Sequence, residues 1–229
     1  MVIIIDLLGE VKFDLEKFKQ KLLYFPSKYM RDFDGFWKRK LKIEHEHEHV
    51  LIDLFREETY NRLHRILNKW QTYRGGDNMN PRETLRESLE RISDAYDKVR
   101  KYSLLEFDKI PVEPLELIWH ELGRVKELNG NRNKYGFYYV IAVCKPLMLL
   151  WGQTLAFDSN VRKNMPLKYG VSKSTNRWKF EDWRKVMKGF QKDLLRNPEF
   201  IDFLKEQSME RYGTDYIVPY GRFLDIYYY

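Results

Sequence analysis

Two charged residues, Lys145 and Asp158, occupy the longest stretch of the chain that carries few charges, residues 136–164. The apolar run over residues 137–152 predicts one buried helix, and Lys145 is its only charged side chain. A lysine in such a helix must reach water, pair with an acid or lose its proton. Asp158 stands where the apolar run gives way to a basic segment. Both residues are therefore the first candidates for chemistry in this chain.

Each of these residues also has a purely structural interpretation. An aspartate followed by Ser159 after an apolar run is typical of a helix start, where the carboxylate accepts hydrogen bonds from backbone N–H groups. Lys145 could be an interior partner of Asp158 or of Asp225, because an unpaired buried charge is costly. For Asp158 the two interpretations are compatible, since an aspartate held at a helix start is rigid and ionised.

The most regular local pattern is IEHEHEH, residues 43–49, in which His45, His47 and His49 alternate with glutamates. A strand would place all three imidazoles on one face, whereas a helix would place only His45 and His49 together. Three imidazoles could bind zinc or nickel and support a metal-dependent hydrolase. The glutamates also suit the solvated first turn of a helix. We predict no metal site and no other cofactor. Metal binding by these three histidines is the alternative.

The positive charge of the chain is concentrated in one segment. The 229 residues carry a formal net charge of +7, and residues 160–193 contain ten basic residues against three acids, which equals that excess. Trp178 and Trp183 lie among these cations, a combination that phosphate binding and base stacking use. A solvated helical face is the alternative. We predict contact with nucleic acid through Arg132, Arg162, Lys163, Lys168, Lys173, Arg177, Lys179, Arg184 and Lys188.

Helical spacing of apolar residues recurs along the chain and predicts an all-α fold of about eight to ten helices. We expect a single domain over residues 1–229, with two helical lobes joined near residues 74–80 as the alternative. Asn80-Pro81 has the cap and the first-turn proline of a helix start. The segment after Pro26 is predicted to be a loop or a short helix. Continuous helices are predicted over residues 50–73, 80–102, 180–194, 199–212 and 219–229.

Several protein classes are excluded by composition. The single cysteine, Cys144, rules out a disulfide framework and a cysteine-based zinc site, and it is expected to be buried. The first ten residues, MVIIIDLLGE, lack the basic start of a signal peptide, so we expect a cytoplasmic protein. The apolar stretch is shorter than the roughly 20 residues that span a bilayer.

The segment TLAFDSNVR, residues 154–162, resembles the sequence after the DNA-binding hairpin of the helix-hairpin-helix DNA glycosylases. In that family an aspartate at a helix N-terminus stabilises the cationic sugar formed as the base leaves, or positions water, and Asp158 matches it. Bifunctional members use a lysine just after the hairpin to form a Schiff base, a role that the resemblance gives to Lys134 or Lys145. The hairpin itself corresponds to residues 128–134, LNGNRNK, without the proline and second glycine of the family signature.

This resemblance implies a DNA-binding, glycosylase-like protein of DNA repair that excises or recognises an extruded base. The expected partner is duplex DNA. The candidates to receive the base are Trp151, Phe157, Tyr138 and Tyr139, and a place in the hydrophobic core is the alternative for each. The alternative from another class is a non-enzymatic helical module that binds nucleic acid or a protein, with Lys145 and Asp158 purely structural.

Overall fold

The computed structural model describes residues 11–47, 50–55, 57–127, 136–172, 174–215 and 217–229. Over these ranges the chain is mainly helical, with a single two-stranded sheet, which confirms the predicted all-α class. The α-helices, numbered in chain order, are α1 (Leu15–Tyr24), α2 (Ser27–Glu46), α3 (Val50–Leu54), α4 (Glu57–Lys69), α5 (Pro81–Arg91), α6 (Ser93–Val99), α7 (Val112–Arg124), α8 (Val140–Trp151), α9 (Ser159–Asn164), α10 (Phe180–Leu195), α11 (Pro198–Tyr212) and α12 (Tyr220–Tyr228). Leu104–Lys109 and Leu167–Tyr169 are 3-10 helices.

A two-stranded antiparallel pair links the start of α8 to the segment before α10. It consists of β1 (Tyr138–Tyr139) and β2 (Arg177–Trp178). The backbone N–H of Val140 donates to the carbonyl of Asn176 at 3.0 Å, next to this pair. The predicted helix therefore begins at Val140 and not at residue 137, because the backbone of the two tyrosines pairs across strands.

The segment after Pro26, predicted as a loop or a short helix, is the 20-residue helix α2. That prediction is wrong because the spacing of the aromatic residues outweighs the glycine among them. Phe33, Phe36, Trp37 and Lys40 are buried and lie on one helical face. Burying these side chains offsets the cost of Gly35 inside a helix, which is about 1 kcal/mol.

Two helices predicted as continuous are each divided. Residues 50–73 form α3, α4 and a turn, while residues 80–102 form α5 and α6, which meet at Ile92 (φ −93°, ψ 2°). The apolar stripe of α5 and α6 stays buried across the break at Ile92, and it consists of Leu85, Leu89, Ile92, Tyr96 and Val99. The spacing of these residues in the sequence therefore gives no sign of the break. These divisions raise the number of α-helices to twelve in the described residues, above the expected eight to ten.

Helix boundaries marked by capping residues agree with the predictions. The side chain of Asn80 accepts a hydrogen bond from the backbone N–H of Glu83, and Pro81 occupies the first turn of α5. Pro198 begins α11, which ends at Gly213 in the left-handed region (φ 73°). Such signals lie within a few residues of the boundary that they define, which is why the sequence alone reveals them.

Helix α8 runs through the centre of the molecule. Ten of its twelve residues are buried, including Cys144 as predicted. The buried hydrophobic side chains form one cluster that extends from Val11 to Tyr228 and includes residues on both sides of residues 74–80. In the described ranges no helix is both long and apolar enough to cross a membrane. The first ten residues, on which the signal-peptide prediction rests, lie outside those ranges.

Candidate active site

A small cavity of about 70 Å³ brings Lys145 and Asp158 together. Its wall combines residues from α2, from the end of α4, from α8, from the turn before α9 and from α12. Four of the lining residues are ionisable acids or bases and four are aromatic: Lys145, Asp158, Arg222 and Asp225, and Phe25, Tyr29, Trp70 and Tyr229. Met148 and Ala156 complete the lining. The tertiary structure thus joins the two sequence candidates in one site.

Asp158 is held rigidly at the N-terminus of α9. Its Oδ1 accepts hydrogen bonds from the backbone N–H groups of Asn160 (2.9 Å) and Val161 (3.0 Å). Within the described part of the chain, Oδ2 accepts no hydrogen bond. A helix N-terminus attracts negative charge. This geometry confirms the expected N-cap and leaves one carboxylate oxygen unengaged at the cavity.

Lys145 reaches across the cavity to the end of another helix. Its Nζ donates to the carbonyl oxygen of Trp70 at 2.7 Å, just after the last residue of α4. Carbonyl groups at a helix C-terminus lack intrahelical partners and carry partial negative charge, so they attract an ammonium group. Among the described residues, Lys145 forms no direct ion pair. Burial lowers the pKa of Lys145, while Asp158 and Asp225 act in the opposite direction.

The floor of the cavity is a buried ion pair within α12. Nη1 of Arg222 donates to Oδ2 of Asp225 at 2.9 Å, and both side chains are almost completely buried. Oδ1 of Asp225 accepts a hydrogen bond from the backbone N–H of Ala156 at 2.8 Å. Burial raises the pKa of Asp225 to about 6, and Arg222 opposes that shift. This pair therefore ties α12 to the turn that carries Asp158.

The turn between α8 and α9 fixes the relative positions of the two candidate residues. Gly152 ends α8 in the left-handed region (φ 73°), and Phe157 adopts a positive φ of 52° directly before Asp158. The side chain of Gln153 accepts from the backbone N–H of Leu104 (2.8 Å) and donates to the carbonyl of Val218 (2.8 Å). A non-glycine residue with positive φ is strained and persists only where its surroundings hold it, which is common at functional sites.

Three of the predicted DNA-binding cations instead stabilise the fold through interactions with protein groups. Arg162 is buried, and its Nη1 donates to the carbonyl of Phe157 at 2.6 Å, within the strained turn. Lys168 forms an ion pair with buried Asp193 at 2.6 Å. Arg177 forms two hydrogen bonds with Glu127 and stacks on the ring of Tyr139.

The remaining predicted cations divide into two sets. Lys163, Lys179, Arg184 and Lys188 lie at the surface or half-buried. The other set, Arg132, Lys173 and the second candidate nucleophile Lys134, lies outside the described residues.

The aromatic wall of the cavity differs from the one expected. Trp151, Phe157 and Tyr138 are core residues, and Tyr139 lies under Arg177. The cavity instead uses Phe25, Tyr29, Trp70 and Tyr229. No local sequence signal marks these four residues, because they meet Lys145 and Asp158 only through the packing of distant helices.

The histidines of residues 43–49 are dispersed where they are described. His45 is exposed near the end of α2, and Nδ1 of His47 lies 3.2 Å from a carboxylate oxygen of Asp53. His49 lies outside the described residues. The described part of the chain contains no group of three His, Cys, Asp or Glu side chains placed to hold a metal ion.

No family model, curated protein or solved structure matches this chain. The functional interpretation therefore depends on the geometry of the cavity and on the charge around it.

Proposed function

We propose that this protein is a DNA-acting, glycosylase-like enzyme whose reaction takes place at the cavity. The observation that carries the proposal is the convergence of Lys145 and Asp158 on one cavity with an aromatic wall. Removal of a base from DNA through a covalent intermediate uses an amine with a lowered pKa, a rigid carboxylate and surfaces on which the base stacks.

Asp158 would stabilise the positive charge that develops on the sugar as the glycosidic bond breaks. Its capping bonds hold the carboxylate in place before the reaction, so no reorganisation is needed as the charge forms. Its second oxygen would face the sugar. This role is the one that the resemblance to the glycosylases assigns to Asp158.

Lys145 would serve as the nucleophile. Its lowered pKa increases the fraction of neutral amine, which is the nucleophilic form. The amine forms a bond to the sugar carbon as the carbon–base bond breaks and the base leaves with the electron pair. The nitrogen then loses one proton to the departing base. The bond between the sugar carbon and the ring oxygen breaks, the oxygen takes the electron pair and the second proton, and the product is an imine that borohydride can reduce.

The size of the cavity requires its rim to move when substrate enters. A volume of about 70 Å³ holds a few water molecules and is smaller than a nucleobase with its sugar. Tyr29 and Tyr229 are only half-buried, so we expect these two rings to move. Opening would expose Phe25 and Trp70, whose rings could then stack on the extruded nucleotide.

The first test replaces the carboxylate of Asp158. Asp158→Asn should reduce base release from a panel of DNA duplexes, each containing one damaged or mismatched base, by about 10²-fold or more. Asparagine is also a good N-cap, so the free energy of unfolding should change by only about 0.5 kcal/mol. Asp202→Asn, an exposed aspartate of α11, is the matched control and should keep full activity. Equal activity in Asp158→Asn and the wild type would exclude the catalytic role.

The second test captures the covalent intermediate. The wild-type protein should form a borohydride-stable adduct with the processed duplex, whereas Lys145→Gln should form none. The control is Lys42→Gln, an exposed lysine of α2. An adduct that persists in Lys145→Gln would exclude Lys145 and direct attention to Lys134. If the wild type releases no base from any duplex of the panel, the proposal fails in favour of a non-enzymatic binding module.

A further inference from the structure

A second concave surface of the protein gathers much of the positive charge of the basic segment. It is a groove of about 540 Å³ between α10 and the 3-10 helix Leu167–Tyr169. Its lining contains six cations and two acids: Lys168, Arg184, Lys185, Lys188, Lys192 and Arg196, and Glu181 and Asp193. We define these residues, with Tyr169 and Gly189, as the basic groove.

The carboxylate in the floor of the groove, that of Asp193, is already paired with protein groups. Asp193 is 1% exposed, and its two carboxylate oxygens accept hydrogen bonds from Lys168 (2.6 Å) and from the hydroxyl of Tyr169 (2.5 Å). Glu181 is the other acid of the lining. Within the described residues, Lys185, Lys188 and Lys192 form no ion pair with an acid. The groove therefore presents an excess of positive charge to solvent.

The spacing of the cations along and just beyond α10 is regular. Arg184, Lys188, Lys192 and Arg196 follow one another at intervals of four residues. Four residues advance a helix by about 6 Å, so the four cations form a row about 18 Å long. That interval is comparable to the separation of successive phosphates along one strand of a nucleic acid.

We propose that the basic groove binds the phosphate backbone of one DNA strand, with the row of four cations opposite successive phosphates. Charge complementarity supports this occupant, because a polyanion with regularly spaced charges matches a regular row of cations in a groove with an excess of positive charge. Lys185, Lys192 and Arg196 are thereby added to the predicted DNA-binding residues Arg184 and Lys188, while Lys168 stays paired with Asp193. The identity of the nucleic acid as DNA rests on the proposed function, whereas the phosphate-binding role does not.

The groove is connected to the cavity by the end of α12. Tyr229 lines the cavity, and the ring of its neighbour Tyr228 packs against Phe190 beneath the groove, with centroids 5.5 Å apart. Asn164 donates to the backbone carbonyls of both tyrosines. The end of α12 therefore contacts both the residues beneath the groove and the wall of the cavity.

The salt dependence of DNA binding tests this proposal. Four phosphate contacts predict slopes of log K against log salt of about −3 for single-stranded DNA and about −4 for a duplex. The double variant Lys188→Gln/Lys192→Gln should reduce the size of the slope by between about one and two, and weaken binding about tenfold or more. Affinities would be measured with a labelled duplex and its single strand between about 50 and 200 mM salt.

The matched control removes two positive charges elsewhere. Lys42→Gln/Lys205→Gln replaces exposed lysines of α2 and α11 and should leave the slope unchanged. Equal slopes for the groove variant and the wild type would overturn the proposal, as would binding to vesicles of anionic lipid without binding to DNA.

Base release, measured on the same proteins, separates the groove proposal from the proposed function. If no base is released but the slope falls as expected, the proposed function fails and the groove stands. If base is released and the slope is unchanged, the proposed function stands and the groove fails.

Discussion

The carboxyl group of Asp225 combines almost complete burial with a direct bond to the turn that precedes Asp158. Burial raises its pKa from the ordinary value of 3.8 to about 6. Near pH 5, therefore, this carboxyl group is protonated in the folded protein and ionised in the unfolded chain. Stability from this group is fully present below pH 3.8 and is lost as the pH rises through about 6. Ionisation of Asp225 therefore lowers the stability of the fold as the pH approaches neutrality.

Replacing Asp225 should remove this pH dependence. Between pH 4 and pH 7 the free energy of unfolding of the wild type should fall relative to that of Asp225→Asn by about 2 kcal/mol, because most of the difference between the folded and unfolded pKa values takes effect in that interval. Urea unfolding at several pH values, analysed as the difference between the two proteins, measures the effect. Asp202→Asn, an exposed carboxylate, should show no such difference from the wild type. Parallel curves for wild type and Asp225→Asn would mean that the pKa of Asp225 is not raised.

Helix α12 approaches the turn after α8 so closely that only glycine fits at one position. A Cβ atom on Gly221 would overlap the backbone of Gln153 and Thr154. The backbone N–H of Arg222 donates to the carbonyl of Gly152 at 3.2 Å, which holds the helix against the turn. This contact places Arg222 and Asp225 in the floor of the cavity. The geometry of the cavity therefore depends on the position of α12.

Gly221→Ala should separate α12 from the turn. We expect a loss of about 1–3 kcal/mol or more in the free energy of unfolding, because backbone atoms cannot move aside as a flexible side chain can. The control is Gly35→Ala in α2, where the added methyl group meets only the mobile end of the Arg62 side chain and favours the helix. Chemical denaturation of both variants measures the difference. Similar stabilities for the two variants would show that α12 is not held at this point.

The whole molecule has one hydrophobic cluster that includes side chains from both sides of residues 74–80. Elements that share a core lose their packing together, so the protein should unfold as one cooperative unit. Cys144 is the single cysteine and is fully buried in α8, which makes its thiol a local reporter of the core.

Thiol labelling and circular dichroism should therefore give the same unfolding curve. We expect the fraction of labelled Cys144 and the loss of helical signal to have coincident midpoints in urea. Tryptophan fluorescence reports on the buried indole rings and provides a third, independent unfolding curve as the internal control. Separate midpoints would support the alternative of two helical lobes with their own stabilities.

The sequence alone determined those features that depend on neighbouring residues. Helical periodicity indicated the all-α class, and capping residues located the starts of α5 and α9, because these signals extend over a few positions. It also identified Asp158 at a helix start and the concentration of positive charge before Asp193. The same local signals missed α2, where aromatic burial outweighs a glycine, and the break between α5 and α6, where the apolar stripe continues.

The tertiary structure decided which of the candidate residues meet. Lys145 donates a hydrogen bond to a carbonyl group 75 residues away in the sequence, and Asp225 accepts one from a backbone N–H group 69 residues away. The spacing of residues in the sequence gives no information about contacts over such separations. Packing also gave Arg162, Lys168 and Arg177 their protein partners and turned the cations of α10 towards one groove. Lys145 and Asp158 were therefore visible as unusual residues in the sequence, but they became a site only where α2, α4, α8 and α12 close around one cavity.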